Sequence, residues 1–134
     1  MLAPTIFQVE DDEDFSFFMD CAIKEINRDI SLVIAPNASD GIVFLNKYRE
    51  NKTVPGMMLL DVNLPGISGI VLLKLIREIP LFESVPIVVL STSDNPRDTK
   101  MALAFGATEF QTKPLGYREL VNTLKRLHAK YLTT

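Results

Sequence analysis

The chain has 134 residues, 47% hydrophobic and 23% charged, the ordinary mix of a soluble globular domain, so disordered, collagen-like and low-complexity readings are excluded. A count of 14 Lys plus Arg against 17 Asp plus Glu gives a net charge of −3, so no overall attraction draws it to nucleic acid or anionic lipid. The length suits one domain, and apolar runs such as Ile70 to Leu73 are too short to span a bilayer.

Met1 to Val9 shows no charged leader, and Cys21 has no second cysteine to pair with. Both point to a cytoplasmic, reducing location without a signal peptide or membrane contact. Charge is uneven: residues 1–67 carry 11 acids and 5 bases, and residues 68–134 carry 6 acids and 9 bases. Five consecutive acids, Glu10 to Asp14, supply much of the first excess.

In chain order, a β-rich run at Thr5–Val9 precedes a helical stretch whose apolar face holds Phe15, Phe18, Met19, Ala22, Ile23 and Ile26. A second strand at Ser31–Ile34 leads to a helix capped by Ser39, with Ile42, Leu45 and Tyr48 inward. The third strand, Met57–Leu60, is followed by Pro65-Gly66 and a helix facing inward through Leu72, Leu75, Ile76 and Ile79. The fourth strand, Ile87–Leu90, precedes a helix over Thr99–Phe105 capped by Asp98 and ended by Gly106. The fifth strand, Thr108–Gln111, is followed by Pro114 and a helix facing inward through Leu120, Leu124, Leu127 and Tyr131. Five β-then-α units fill residues 1–134 as a single domain with no room for an output domain. Near-continuous apolar strands indicate a parallel sheet covered on both faces, an α/β doubly wound architecture with right-handed crossovers.

In such sheets ligands bind at the carboxyl ends of the strands. The first strand runs out into Glu10 and Asp11, the third into Asp61, the fourth into Ser91 and Thr92, and the fifth into Lys113-Pro114. Each has a plainer reading: Asp12, Glu13 and Asp14 as helix caps, Asp61 as a turn residue, Ser91 as a backbone partner, Lys113 as a solvated side chain. Their joint occurrence at four strand ends of one sheet is hard to attribute to turns. Two carboxylates ~4 Å apart repel by roughly 4 kcal/mol at an effective dielectric of about 20, so a raised pKa or a cation must accompany the cluster. With hard oxygen donors and no His or Cys, partly hydrated Mg²⁺ suits the set. A metal, a carboxylate nucleophile and a lysine are the parts for phosphoryl transfer to an aspartate.

Val9-Glu10-Asp11-Asp12, Leu60-Asp61-Val62-Asn63-Leu64-Pro65-Gly66, Val88-Val89-Leu90-Ser91 and Gly106-Ala107 through Lys113-Pro114 resemble, in order and spacing, the receiver domain of bacterial two-component response regulators. The resemblance implies the flavodoxin-like receiver fold, with five parallel strands in the order 2-1-3-4-5. It implies Asp61 as the phosphoryl acceptor, fed by the phosphohistidine of a sensor histidine kinase, a hybrid kinase or a phosphotransfer protein. Mg²⁺ would be held by Asp11, Asp61 and the backbone carbonyl of Asn63, with Glu10 acting through water. Ser91 and Lys113 would bind phosphoryl oxygens, the bond before Pro114 would be cis, and Ser91 and Phe110 would form the switch. Asn63 and Ser93 would tune hydrolysis of the acyl phosphate. A downstream protein target, homodimerisation on phosphorylation and no direct DNA binding complete the expectation, and the chain would be a switch, not a turnover enzyme. Near-complete switching would require about 5.5 kcal/mol of differential stabilisation.

Several positions depart from the pattern. Phe110 lacks a hydroxyl, Thr92 stands where alanine is common, Gln8 is polar inside a strand, and the Glu50–Gly56 connection is long. Small stand-alone regulators, some serving phytochrome-like kinases, are similar in that connection and in Ser91-Thr92-Ser93. Among rivals, a phosphatase of the haloacid dehalogenase type would need a second Asp where Asn63 stands. A flavin carrier would need a phosphate loop where Glu10 to Asp14 would repel the phosphate. A docking module of the same fold would lack a site residue, and none is lacking here.

Overall fold

The computed structural model describes residues 4–132. Residues 1–3 and 133–134 lie outside the described residues, and with them the two ends of the domain expected over residues 1–134. The elements are β1 (Thr5–Val9), α1 (Glu13–Ile26), β2 (Ser31–Ala35), α2 (Ala38–Asn51), β3 (Met57–Asp61), α3 (Gly69–Arg77), β4 (Ile87–Ser91), α4 (Pro96–Ala104), β5 (Glu109–Thr112) and α5 (Tyr117–Leu127). A 3-10 turn at Pro80–Phe82 precedes β4, and a wide helical turn at His128–Leu132 extends α5. All strand pairs are parallel, in the order β2-β1-β3-β4-β5, as the sequence resemblance implied.

Alternation along the strands sorts side chains onto two apolar layers. Phe7, Val9, Met58, Leu60, Ile87 and Val89 meet α2, α3 and α4 through Leu45, Leu72, Leu73, Ile76 and Ala102. Ile6, Met57, Leu59, Val88 and Leu90 meet α1 and α5 through Met19, Ala22, Ile23, Leu120, Val121, Leu124 and Leu127. Both faces are buried, which is why the central strands read as unbroken apolar runs. Met57 and Met58 are core residues, one on each layer.

Three helix starts show how caps work here. Asp12 caps α1 by accepting from the Asp14 and Phe15 backbone N–H groups, as expected. Asn37, not Ser39, caps α2 by accepting from the Asp40 N–H. Asn95, not Asp98, caps α4, because Pro96 gives up no needed N–H at the first helical position and starts the helix earlier. The edge strand β5 lies one residue later than expected. Thr108 is instead spent on the start of β4, its hydroxyl accepting from the Ile87 N–H.

Apolar stripes run wider than the packed faces. Phe18, Ile42 and Leu75, all assigned inward by spacing, are exposed. His128 is half-buried. Arg126 and Lys130 both pair with Glu109 of β5, which also accepts from the Tyr131 hydroxyl. Arg77 closes the far end of the sheet, donating to the carbonyls of Gly106, Phe82 and Glu83 and to the Thr108 hydroxyl. Among the described residues, no helix is long and apolar enough to cross a membrane.

Candidate functional site

Strand parity decides which polar residues meet. Asp61 ends β3 two residues beyond Leu59, so it emerges on the layer shared with α1 and α5. Glu10 follows β1, and its N–H still donates to the Ala35 carbonyl at 2.9 Å, so the alternation continues and places it on that same layer. Lys113 follows β5 with its N–H on the Ser91 carbonyl at 2.7 Å, and its side chain reaches across the sheet ends to both acids. Asp11 stays exposed on the rim. The carboxylate oxygens of Glu10, Asp11 and Asp61 approach to within 4.8 Å of one another.

Lys113 Nζ lies 2.8 Å from Glu10 Oε1 and 3.3 Å from Asp61 Oδ2, and 4.7 Å above the centre of the Phe15 ring. Glu10 and Asp61 are 1% and 3% exposed. Burial pushes the Glu10 carboxyl up to about 7, the Asp61 charge adds to the rise, and the hydrogen bond and charge of Lys113 hold it back. Burial alone would lower the Lys113 ammonium, but the hydrogen bond and charge of Glu10 and the charge of Asp61 outweigh it, and its pKa is raised. The site is therefore an ammonium held between two nearly dry acids.

Backbone donors fix the remaining oxygens. Asp61 Oδ1 accepts from the Asn63 N–H at 3.0 Å, and Glu10 Oε2 accepts from the Asp12 N–H at 3.1 Å. Gly69 starts α3 hard against the end of β3, where a Cβ would sit 1.8 Å from the Asp61 carbonyl oxygen. Only a glycine lets the helix pack there.

Ser91 is fully buried, its hydroxyl accepting from the Ser93 N–H at 3.1 Å, and the Ser93 hydroxyl accepts from the Asn95 N–H. Phe110 pairs with Val89, one pleat below the Ser91–Thr112 pair and on the same face. It is half-buried against the layer of α2, α3 and α4. Asn63 and Thr92 are exposed, and the Asn63 amide donates to the Thr92 hydroxyl at 3.3 Å, joining two loops at the mouth of the site.

Glu10, Asp11, Asp61, Asn63, Ser91, Ser93 and Lys113 thus lie at one end of the sheet, with Phe110 one pleat below. Two details differ from expectation. Glu10 faces Lys113 directly, because its buried oxygen needs a cation close by. The bond before Pro114 is trans, the ordinary isomer of an X–Pro bond. Phe15 under the ammonium and Gly69 behind the acceptor were not foreseen. Phe15 read as one more member of an apolar stripe, and a strand-end contact leaves no trace in local spacing.

Three carboxylates with hard oxygens and no sulfur or imidazole fit a hard divalent cation. Comparison with known proteins identifies the family and the fold. The family model for the response regulator receiver domain matches residues 6–125. Protein-glutamate methylesterase/protein-glutamine glutaminase 1 of Methanospirillum hungatei is 32% identical over 108 residues, 80% of this chain and 31% of that protein. The transcriptional regulatory protein SphR of Synechococcus elongatus is 34% identical over 97 residues, 67% of this chain and 37% of that one. The chain therefore spans about a third of these curated relatives. Among solved structures, the phosphorylated cyanobacterial phytochrome response regulator RcpA aligns with a TM-score of 0.87 at 26% identity, over 97% of this chain and 94% of that one. The Mn²⁺-bound response regulator Rcp1 aligns at 0.82 and 27% identity, over 94% and 92%.

Proposed function

The chain belongs to the response regulator receiver domain family of two-component signalling, and on that premise we propose that it is a phosphoryl-accepting switch with Asp61 as the acceptor. The observation that carries this reading is a buried Asp61 carboxylate ringed by Glu10, Asp11 and Lys113 at the open end of a parallel sheet. The donor is the phosphohistidine of a sensor histidine kinase, a hybrid kinase or a phosphotransfer protein. An Asp61 oxygen attacks phosphorus in line, the O–P bond forms as the P–N bond breaks, and the freed imidazole takes up a proton.

Asp11 and Asp61, with the Asn63 carbonyl, would hold Mg²⁺, which neutralises charge on the transferring group when bound. Lys113 already stands beside the acceptor and is free to turn from Glu10 toward a phosphoryl oxygen. Ser91 offers its hydroxyl proton to another, since among the described residues that oxygen only accepts, from the Ser93 N–H. The Ser91 side chain then moves off the space beside Phe110, and the aromatic ring follows, reshaping the face of α4, β5 and α5. Asn63 and Ser93 border the path by which water reaches the acyl phosphate and so govern its lifetime. On this reading the chain acts as a switch that signals through a downstream protein target.

A macromolecular donor is favoured over a small one by the surface around the acceptor. Phe17, Phe18 and Tyr117 form an exposed aromatic row with ring centres 5.8 and 6.4 Å apart, beside Leu115, which is 97% exposed. Apolar groups of that size at the rim fit a protein partner better than an ionic metabolite. The assignment of Asp61 is tested by reductive trapping. Borohydride treatment of the phosphorylated chain should convert residue 61 to homoserine in the peptide map, and conversion at any other residue would contradict it.

A further inference from the structure

Gln8 breaks the rule that the centre of a buried parallel strand is apolar. It sits in β1 between Ile34 of β2 and Leu59 of β3 and is 1% exposed. Neither its amide nitrogen nor its amide oxygen has a hydrogen-bond partner among the described residues. Buried polar atoms in native folds are nearly always paired, and an orphaned pair in a core asks for a function that makes use of it.

Its place in the strand suggests which. Ile6, Gln8 and Glu10 alternate onto the α1 and α5 layer, with Phe7 and Val9 on the other. Glu10 is thus the next side chain on the same face, one pleat nearer the site. Its Oε2 is fixed by the Asp12 N–H, whereas its buried Oε1 depends on Lys113 alone among the described residues. Lys113 is shared with Asp61 at 3.3 Å. An anion on Asp61 would draw the ammonium away and strand a buried carboxylate oxygen, which is far costlier than stranding an amide.

We propose that Gln8 is a positioning residue for Glu10: a hydrogen-bond donor held in reserve beneath the site, taken up by Glu10 Oε1 when Lys113 turns to the anion on Asp61. In the resting chain the amide is idle and costs stability. In the charged state it keeps Glu10 in place and lets Lys113 move. The occasion for the move rests on the phosphoryl-acceptor reading, but the hand-over itself depends only on the loss of Lys113 from Glu10.

The experiment is a double-mutant cycle on thermal and urea unfolding without metal, using Gln8→Met and Lys113→Met, each close in shape to what it replaces. Gln8→Met alone should raise the melting temperature by several degrees, because it removes two orphaned atoms. In the Lys113→Met background the same change should lower it, because Glu10 then depends on the amide. Equal stabilisation in both backgrounds would overturn the proposal. So would destabilisation of the parent chain by Gln8→Met, which would mean that the amide is already engaged. A second arm titrates beryllofluoride with Mg²⁺, and Gln8→Met should bind it several-fold more weakly despite being the more stable protein. Unchanged binding in a stabilised variant would contradict the hand-over, and this arm decides if Lys113→Met does not fold. If the parent chain binds no beryllofluoride, the acceptor reading fails while the unfolding cycle still decides the role of Gln8.

Discussion

At the scale of single residues, the site is a set of charges held closer together than water would allow. Glu10 and Asp61 share one ammonium, and the charge of Asp61 helps to push the Glu10 carboxyl up to about 7. Removing one of these charges should relieve the other. Asp61→Asn is therefore expected to be more stable than the parent chain without metal by about 1 kcal/mol in urea unfolding, while losing phosphoryl acceptance entirely. A less stable Asp61→Asn would mean that its pairing with Lys113 outweighs the repulsion. The residues that gather at the open end of the sheet were legible in the sequence because strand ends can be read there: Glu10, Asp11, Asp61 and Ser91 follow apolar runs, and Lys113 follows the expected fifth strand. The pairing among them was not legible. Whether Lys113 faces Glu10 or Asp61 depends on strand parity and on how far β5 lies from β1, and neither distance is written in local spacing.

At the scale of elements, two contacts hold the site to its scaffold. The first is the start of α3, where Gly69 leaves no room for a side chain behind the Asp61 carbonyl. Gly69→Ala should destabilise the chain by at least about 3 kcal/mol in urea unfolding and weaken metal binding, since α3 can move only by displacing the acceptor. A near-neutral effect would show that this junction yields. The second is the clamp of Arg126, Lys130 and Tyr131 on Glu109, which ties β5 to the end of α5. Burial alone would raise the Glu109 carboxyl, but its hydrogen bonds to Tyr131, Lys130 and Arg126 outweigh this and hold it below its ordinary value of 4.5. A carboxyl lowered on folding contributes stability above 4.5, and that contribution is lost as pH falls through the depressed value. Glu109→Gln should therefore be less stable than the parent chain at neutral pH, and the gap should close under acid. A gap independent of pH would assign the effect to packing. The five units and their order along the chain followed from apolar periodicity, whereas the caps of α2 and α4 did not. Ser39 and Asp98 are both acceptable caps, and the choice fell to Asn37 and Asn95 by backbone geometry two and three residues earlier.

At the scale of the molecule, a cation that binds the folded acidic cluster and not the unfolded chain must stabilise the fold by linkage. Mg²⁺ at ten times its dissociation constant should add about 1.4 kcal/mol to the unfolding free energy, and Asp11→Asn should abolish the gain. A melting curve unmoved by Mg²⁺ would contradict the metal site. Phosphorylation should also reshape the α4, β5 and α5 face, where Met101 and Leu103 of α4 are exposed, and promote a homodimer. Sedimentation with and without beryllofluoride should show the mass change, and an unchanged mass would remove the dimer from the account. The family and its fold were already legible from four short motifs. The polar core residue Gln8 was legible only as an exception, since its meaning lies in what stands above it on the same sheet face. The most direct test of the whole reading is intact mass after incubation with Mg²⁺ and acetyl phosphate, beside Asp61→Asn. One phosphoryl group should add to the parent chain, and none should add to the variant or to the parent chain without Mg²⁺. No adduct on a chain that binds Mg²⁺ and beryllofluoride would point to hydrolysis faster than detection, whereas no adduct on a chain that binds neither would contradict the assignment of Asp61 as a phosphoryl acceptor.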